Sequence, residues 1–265
     1  MENIRPIGDH LREWRQRRRL SQLDLALEAD ISAKHLSFLE TGRAQPSRDM
    51  VLHLAERLDV PLRERNVLLL SAGYAPVFAQ RGLDDPALRQ QRHAVDLVLK
   101  GHDPYPALAV DRHWTLVAHN AAVPALIASA DPSLLAPPVN VLRLSLHPKG
   151  LAPRIANLPE WRAHLLMRLR QQIDVTADGQ LIKLLDELSG YPAPGGGKVP
   201  RTTLNEDYAG VVVPLQFMSD AGILSFFSTT TIFGTPLDVT LSELAIESFF
   251  PADAATAEKL RGTPV

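Results

Sequence analysis

The chain has 265 residues, of which 45% are hydrophobic and 22% are charged, a length and composition that suffice for two modest hydrophobic cores. The formal net charge of -2 gives no sign of nucleic-acid binding over the whole chain, so such a function must rest on local charge. The absence of cysteine excludes disulfide bonds, thiolate zinc sites and a cysteine nucleophile. The first residues carry no apolar signal-peptide core and no apolar run could span a bilayer, so we expect a cytoplasmic protein with no membrane partner.

The first predicted domain, residues 1–75, consists of short helices between residues 7 and 73. Ser21, Ser32 and Ser47 each precede a helical segment and are predicted N-caps, and Asp24 occupies the capping-box position after Ser21. Gly73 is a predicted C-terminal stop. Short connections between these segments predict one compact all-α domain.

Residues 76–102 are predicted to be a linker and a connecting helix, in which Asp85 caps a helix that starts with Pro86. Residues 103–265 mix strand and helix patterns, which predicts an α+β domain. Its predicted elements are, in chain order, a hairpin of 107–110 and 114–119, a helix in NAAVPALIA, helices at 158–173 and 179–188, a flexible loop at 190–201, strands at 208–217 and 223–233, a strand in ELAIESFF and a last helix capped by Asp253.

The segment LSQLDLALEADISAKHLSFLETGRAQPS has the pattern of a helix-turn-helix, whose second helix enters the DNA major groove. Leu25 and Ala26 face inward from the first helix, and Leu36 and Leu39 face inward from the second. The opposite side of the second helix then carries short side chains and hydrogen-bond donors, as base-edge contacts require.

Phosphate contacts are predicted around that helix. Gln22 lies in the first helical turn, where a side-chain amide can reach a phosphate, and Arg43 follows Gly42 in the loop after the second helix. Alternatives remain open: Lys34 could contact phosphate or a base, and Phe38 could be buried. The basic run REWRQRRR could be partly a solvated face. The predicted DNA-binding residues are Arg18, Gln22, Ser32, Ala33, Lys34, Ser37, Phe38 and Arg43.

The motifs LSQ-x-x-LA-x-x-x-x-IS and LSFLE-x-GR-x-x-PS resemble the Cro/Xre-type helix-turn-helix family over residues 7–73. Asp30 stands in the turn where most members of the family have glycine; because Asp tolerates the left-handed conformation, we expect the turn to survive. The resemblance implies that Glu40 holds the fold rather than reading bases.

The larger part of the chain shows no motif typical of an enzyme. None of the motifs G-x-S-x-G, H-E-x-x-H, Walker A or G-x-G-x-x-G is present. The histidines at 102, 113, 119, 147 and 164 lack metal-ligand spacing. No catalytic residue, metal or cofactor is therefore predicted.

The segments PALAVDRHWTLVAHN, NVLRLSLHPKGLAPRIANLPEWRAHLL and LSFFSTTTIFGTPLDVTLSELAIESFFPADAAT resemble the ligand-binding part of MmyB-like transcription regulators over most of 103–260. The resemblance implies a PAS-like pocket, a long-chain fatty acid as one ligand, and transcriptional control of a neighbouring gene.

A chain-like ligand needs apolar walls and one polar end. Arginine is the natural partner of a carboxylate, so Arg154 and Arg162 are candidates for that end, although they could pair with Glu160, Asp174 or Glu247 instead. The aromatic and leucine candidates could equally be plain core. The predicted ligand-binding residues are Asn120, His147, Arg154, Asn157, Trp161, Arg162, Leu165, Phe226 and Phe233.

Together these patterns predict a transcription regulator whose affinity for a double-stranded operator depends on an apolar small molecule, acting as a homodimer. Two other interpretations stay open. One is an enzyme with a lipid-like substrate that regulates its own gene, and the other is a DNA-binding protein whose larger domain only dimerises or recruits a partner protein.

Overall fold

The structure is a computed structural model, and it describes residues 5–82, 84–192, 213–233 and 238–262. Its contacts divide the chain into two compact units. The helical unit comprises residues 5–81 with 174–177 and 238–242, and the sheet unit comprises the remaining described residues.

Five helices form the N-terminal part of the helical unit. They are α1 (Ile7–Arg17), α2 (Gln22–Glu28), α3 (Ala33–Glu40), α4 (Arg48–Arg57) and α5 (Leu62–Ser71). The predicted N-caps are confirmed, because the side chains of Ser21, Ser32 and Ser47 each accept a backbone N–H from the first helical turn. Asp24 completes a capping box with Ser21.

The turn between α2 and α3 depends on one left-handed residue. Asp30 has a φ of 51°, and Ile31 N–H donates to the Ala26 carbonyl at 2.9 Å. The expectation that Asp substitutes for glycine here is confirmed, at the modest conformational cost that Asp pays in this region. The predicted helix-turn-helix is therefore present as α2, turn and α3.

The core of the helical unit is made of the inward faces of all five helices, with Leu25, Leu36 and Leu39 fully buried among them. Helices α1 and α3 approach closely at Gly8. A Cβ atom added there would lie 2.6 Å from the Glu40 carbonyl oxygen, so only glycine fits.

The sheet unit alternates helices and strands. Two of its short helices, Pro132–Leu135 and Val141–Leu146, lie in the proline-rich stretch where the sequence predicts no helix. Its helices are α6 (Arg89–Gly101), α7 (Val123–Ile127), α8 (Pro132–Leu135), α9 (Val141–Leu146), α10 (Leu158–Thr176), α11 (Gly179–Ser189) and α13 (Ala254–Arg261). Helix α12 (Val239–Ser242) belongs to the helical unit, as do the last residues of α10.

One antiparallel sheet has the strand order β2-β1-β5-β4-β3 among the described residues. The strands are β1 (Ala107–Val110), β2 (Leu116–His119), β3 (Leu215–Ser219), β4 (Gly222–Ile232) and β5 (Ala245–Pro251). The predicted hairpin, the turn before Gly222 and the strand in ELAIESFF are confirmed. The predicted loop 190–201 and the start of the strand predicted at 208–217 lie largely outside the described residues.

The main core of the sheet unit lies between the sheet and α9, α10 and α11. Helix α10 contributes Trp161, Leu165 and Leu169, and α11 contributes Leu181 and Leu184. Trp161, Leu165 and Leu169 recur at i, i+4 and i+8 along α10, as expected of a helix with one buried face. The predicted architecture is thus confirmed: an all-α helix-turn-helix domain is joined to an α+β domain.

Candidate functional site

The first candidate site is the outer side of α3. Lys34 is exposed and Ser37 is half-buried there, while Ala33 packs partly against the core beneath. The Ser32 hydroxyl accepts the His35 N–H at 3.1 Å and so fixes the first turn of the helix. The short and hydrogen-bonding side chains on this side meet the requirement for close approach to base edges.

Phe38 is half-buried, and its ring lies beneath two cationic side chains. The Lys34 ammonium lies 5.6 Å from the ring centroid, and the Arg43 guanidinium carbon lies 6.0 Å from it. The Arg43 N–H also donates to the Phe38 carbonyl at 2.8 Å. Cation–π attraction therefore holds two exposed positive charges beside the outer face of α3.

Glu40, at the C-terminal end of α3, is a buried carboxylate that organises the same region. It accepts two hydrogen bonds from Arg15, at 2.6 and 2.8 Å, and one from the Gln22 amide at 2.8 Å. Burial alone would raise the pKa of Glu40, but the hydrogen bonds from Arg15 and Gln22 and the charges of Arg15 and Arg12 lower that pKa below its ordinary value.

The predicted phosphate contacts differ in their structural surroundings. The side-chain amide of Gln22 is oriented by Glu40, at the N-terminus of α2. Arg18, by contrast, donates to the carbonyls of Leu58 and Asp59 at 2.8 and 2.9 Å and stacks over Trp14. Its guanidinium thus pairs with the two backbone carbonyls that directly follow α4.

The second candidate site is an apolar cavity of about 110 Å³ inside the sheet unit. Trp161 and Leu165 of α10 line it, together with Phe226 of β4, and all three are among the predicted ligand-binding residues. Leucine, valine and phenylalanine side chains from the short helices α7 and α9 and from β3 form a large part of the rest of the wall.

The charged end of this cavity is an ion pair between α10 and β5. The Arg168 guanidinium donates to the two carboxylate oxygens of Glu247 at 2.6 and 3.1 Å. Thr230, the cross-strand neighbour of Glu247, joins both partners through its hydroxyl, at 2.8 Å from each. Glu247 is only 4% exposed, whereas the Arg168 side chain keeps 21% of its surface exposed, so the carboxylate is the buried member of the pair.

Trp114 forms the wall beside this pair. It lies in the β1–β2 turn with a φ of 65°, a conformation that bulky residues rarely adopt. Its indole N–H donates to Gln172 of α10 at 2.8 Å, and the Arg168 guanidinium carbon lies 5.0 Å from the ring centroid. The strained turn therefore holds the indole against α10, next to the ion pair.

Two predicted ligand-binding residues, Asn120 and Asn157, make hydrogen bonds to the backbone. Asn120 is 6% exposed; its amide oxygen accepts the Ala107 N–H, and its NH₂ group donates to the Tyr105 carbonyl at 2.7 Å. Asn157 accepts the Gln216 N–H at 3.0 Å and donates to a carbonyl before β3. Both amides thus fix strand ends.

The other predicted polar residues are likewise engaged elsewhere. Arg154 donates to the Met218 carbonyl and stacks over Phe217, and Arg162 donates to three carbonyls at the end of α11. His147 accepts the Lys149 N–H. Phe233 packs with Val95, Leu99 and Ile246 in a separate cluster. The described lining of the cavity includes none of Arg154, Arg162, His147 and Phe233.

Comparison with known proteins decides the family. Residues 91–262 match the model of the MmyB-like transcription regulator ligand binding domain, and residues 6–68 match a helix-turn-helix domain model. The chain belongs to the MmyB-like transcription regulators. The search of the curated proteins found no match.

A solved structure, "Structure of an RNA-binding Light-Oxygen-Voltage Receptor", aligns with 98% of this chain at 13% identity. The alignment covers 65% of that chain, and the TM-score is 0.27.

Sequence reasoning missed the charged residues of the cavity in this MmyB-like regulator. A signal was nevertheless present on α10, because Trp161, Leu165 and Arg168 follow each other at i, i+4 and i+7 and therefore share one helix face. A single cation on an otherwise apolar face indicates a buried partner or a polar ligand group.

Among the described residues, no helix is long and apolar enough to cross a membrane. No group of three or more His, Asp or Glu side chains in those ranges is placed to hold a metal ion.

Proposed function

We propose that this MmyB-like regulator binds a double-stranded DNA operator through α3 and that an apolar small molecule in the sheet-unit cavity changes its affinity for that operator. The apolar cavity, with one ion pair in its described lining, carries this proposal. A fatty-acyl chain fits the character of the walls, and a long-chain fatty acid is one member of that class. In this proposal the domain is PAS-like, and the protein acts in the cytoplasm and is not an enzyme.

In this model of docking, Lys34, Ser37 and Phe38 face base edges while Gln22 and Arg43 contact phosphates. Two observations support it. The exposed cations of Lys34 and Arg43 lie over the Phe38 ring, and Glu40 orients the Gln22 side-chain amide. Phosphate contacts supply affinity, whereas the α3 face supplies sequence choice.

We also propose that the protein binds as a homodimer on a two-fold site, which is the usual arrangement for a helix-turn-helix reader. The side chains of Leu23 and Leu27, on the outer side of α2, are 59% and 71% exposed and support an apolar contact there. Sedimentation of the protein with and without its duplex measures the stoichiometry, and a monomer in both cases would contradict the proposal.

The DNA model is tested with Arg43→Ala. Duplexes are first selected from a random library with the full chain, and affinity is then measured by fluorescence anisotropy over a range of salt concentrations. Loss of one phosphate contact should weaken binding to all duplexes and reduce the slope of log K against log salt by about 0.9. Arg57→Ala, on the exposed side of α4, is the matched control and should leave the slope unchanged.

The ligand model is tested in two steps. Native and denaturing mass spectrometry of the purified protein detects a bound acyl-chain molecule. Adding that molecule, or decanol as a probe, should then change affinity for the selected duplex by about fivefold or more, the usual range of allosteric coupling. Saturating ligand without any change in affinity would refute regulation through the cavity and favour a domain that only dimerises or recruits a partner.

A further inference from the structure

A second, polar cavity of about 230 Å³ adjoins the apolar cavity. The two share three lining residues, Trp114, Arg168 and Glu247. The indole and the ion pair are therefore the partition between an apolar space and a polar space. A ligand that occupies the apolar cavity places its terminal group at this partition.

The partition already has its hydrogen bonds satisfied. Both terminal nitrogens of Arg168 donate to the Glu247 carboxylate, and the Thr230 hydroxyl bridges the pair. An incoming carboxylate that takes the two terminal nitrogens of Arg168 must displace the buried Glu247 carboxylate from them. Glu247 would then remain charged and lose its cation, which is among the most unfavourable changes in a protein interior.

The net charge of the polar cavity also disfavours a ligand carboxylate. Its described lining contains the carboxylates of Asp111, Glu243 and Glu247 and the guanidiniums of Arg112 and Arg168, which leaves one net negative charge. A ligand carboxylate would be a fourth anion in this space. A hydroxyl or amide group, in contrast, donates to a carboxylate and accepts from a guanidinium without disturbing either.

We propose that the two cavities form one bipartite site for an amphipathic ligand with an alkyl part and an uncharged hydrogen-bonding end, such as a fatty alcohol or amide, and that the Arg168–Glu247 pair selects against a carboxylate end. This inference rests on the proposed ligand-binding function and narrows its ligand class, because among acyl-chain molecules it favours those with an uncharged end over a free fatty acid. Trp114 and the pair determine the selectivity, and the apolar walls determine the affinity for the chain.

The test compares three probes of equal chain length, decanol, decanoate and decylamine, by calorimetric titration of the full chain at neutral pH. Decanol should bind at least about tenfold more tightly than decanoate, and more tightly than decylamine. Equal or tighter binding of either charged probe would overturn the proposal, as would the failure of all three to bind.

The Glu247→Gln variant tests the cause of the selectivity. It removes one negative charge and releases the guanidinium, so decanoate should gain about tenfold in affinity while decanol changes little. Glu187→Gln is the matched control, because Glu187 is also paired with an arginine but lies outside the described lining of both cavities. An unchanged ratio of decanol to decanoate affinity in Glu247→Gln would refute the role of the pair.

If Glu247→Gln does not fold, Glu243→Gln replaces it, because Glu243 lines only the polar cavity and its loss still removes a negative charge. The decanol-to-decanoate ratio should fall in this variant as well, and an unchanged ratio would again refute the charge argument. The proposed regulation is measured separately, as the effect of decanol on affinity for the selected duplex. Selective decanol binding without that effect would keep the bipartite site and remove the regulatory role.

Discussion

The Glu40→Gln substitution tests whether the buried carboxylate holds the helix-turn-helix together. The Glu40 side chain is fully buried and that of Arg15 is 11% exposed, with hydrogen bonds of 2.6 and 2.8 Å between them. Removing one partner of such a pair leaves the other charge buried and uncompensated. We therefore expect a loss of about 3 kcal/mol or more in the free energy of unfolding of the helical unit.

Hydrogen exchange measured by mass spectrometry of peptides from α1 to α4 gives this loss in the full chain. A change of about 3 kcal/mol corresponds to amide exchange faster by more than about a hundredfold. Glu13→Gln is the matched control on α1, because its pair with Arg17 is exposed, at 35% and 32% for the two side chains. That substitution should cost no more than about 1 kcal/mol. A Glu40→Gln effect no larger than the control would refute the reasoning.

The same comparison has a defined dependence on pH. Because the pKa of Glu40 is lowered in the folded protein, its contribution to stability is fully present above its ordinary value of 4.5 and is lost as the pH falls through the lowered value. The difference between wild type and Glu40→Gln should therefore be largest at neutral pH and shrink below about pH 4.5. A difference that stays constant on acidification would show that the carboxylate charge is not its source.

Two further pairs of substitutions test the sheet unit by thermal and urea denaturation. In Gly150→Ala the new Cβ would lie 2.2 Å from the Leu144 carbonyl oxygen, so we expect a loss of about 1–3 kcal/mol in the free energy of unfolding. In the control Gly101→Ala the new Cβ meets nothing within 4 Å, so this variant should be neutral or slightly stabilising. Equal effects of the two substitutions would refute the packing argument. Asn120→Ala should cost about 1–3 kcal/mol, because it leaves the partly buried Tyr105 carbonyl without its hydrogen bond from the buried Asn120 amide. Asn120→Asp should cost more, because it turns a carboxylate oxygen toward that carbonyl. An aspartate variant as stable as wild type would contradict this assignment.

The helical unit could be predicted in detail because its determinants are local. A cap such as Ser32 acts on an N–H three residues away, and the left-handed Asp30 lies inside the turn that it shapes. Sequence spacing therefore locates the turn and both helices. The role of Arg18 could not be predicted, because its carbonyl partner at Leu58 is 40 residues away.

The cavity could be predicted only in part. Trp161, Leu165 and Phe226 follow from apolar patterning. The choice among arginines does not, because Arg154, Arg162 and Arg168 all lie near or on α10, and distant partners decide their roles. The carboxylate that fixes Arg168 comes from β5, 79 residues later in the chain.

The dimensions of the cavity bear on how a ligand could act as an effector. A volume of about 110 Å³ lies below the roughly 300–1,000 Å³ of typical small-molecule sites, so an alkyl chain bound there must displace part of the wall. Leu126 and Ile127 line it from α7, which has only five residues. A ligand shifts an equilibrium only by its different affinity for two conformations. A cavity that expands around the chain would supply that difference, because the expanded conformation would bind the chain more tightly than the conformation described.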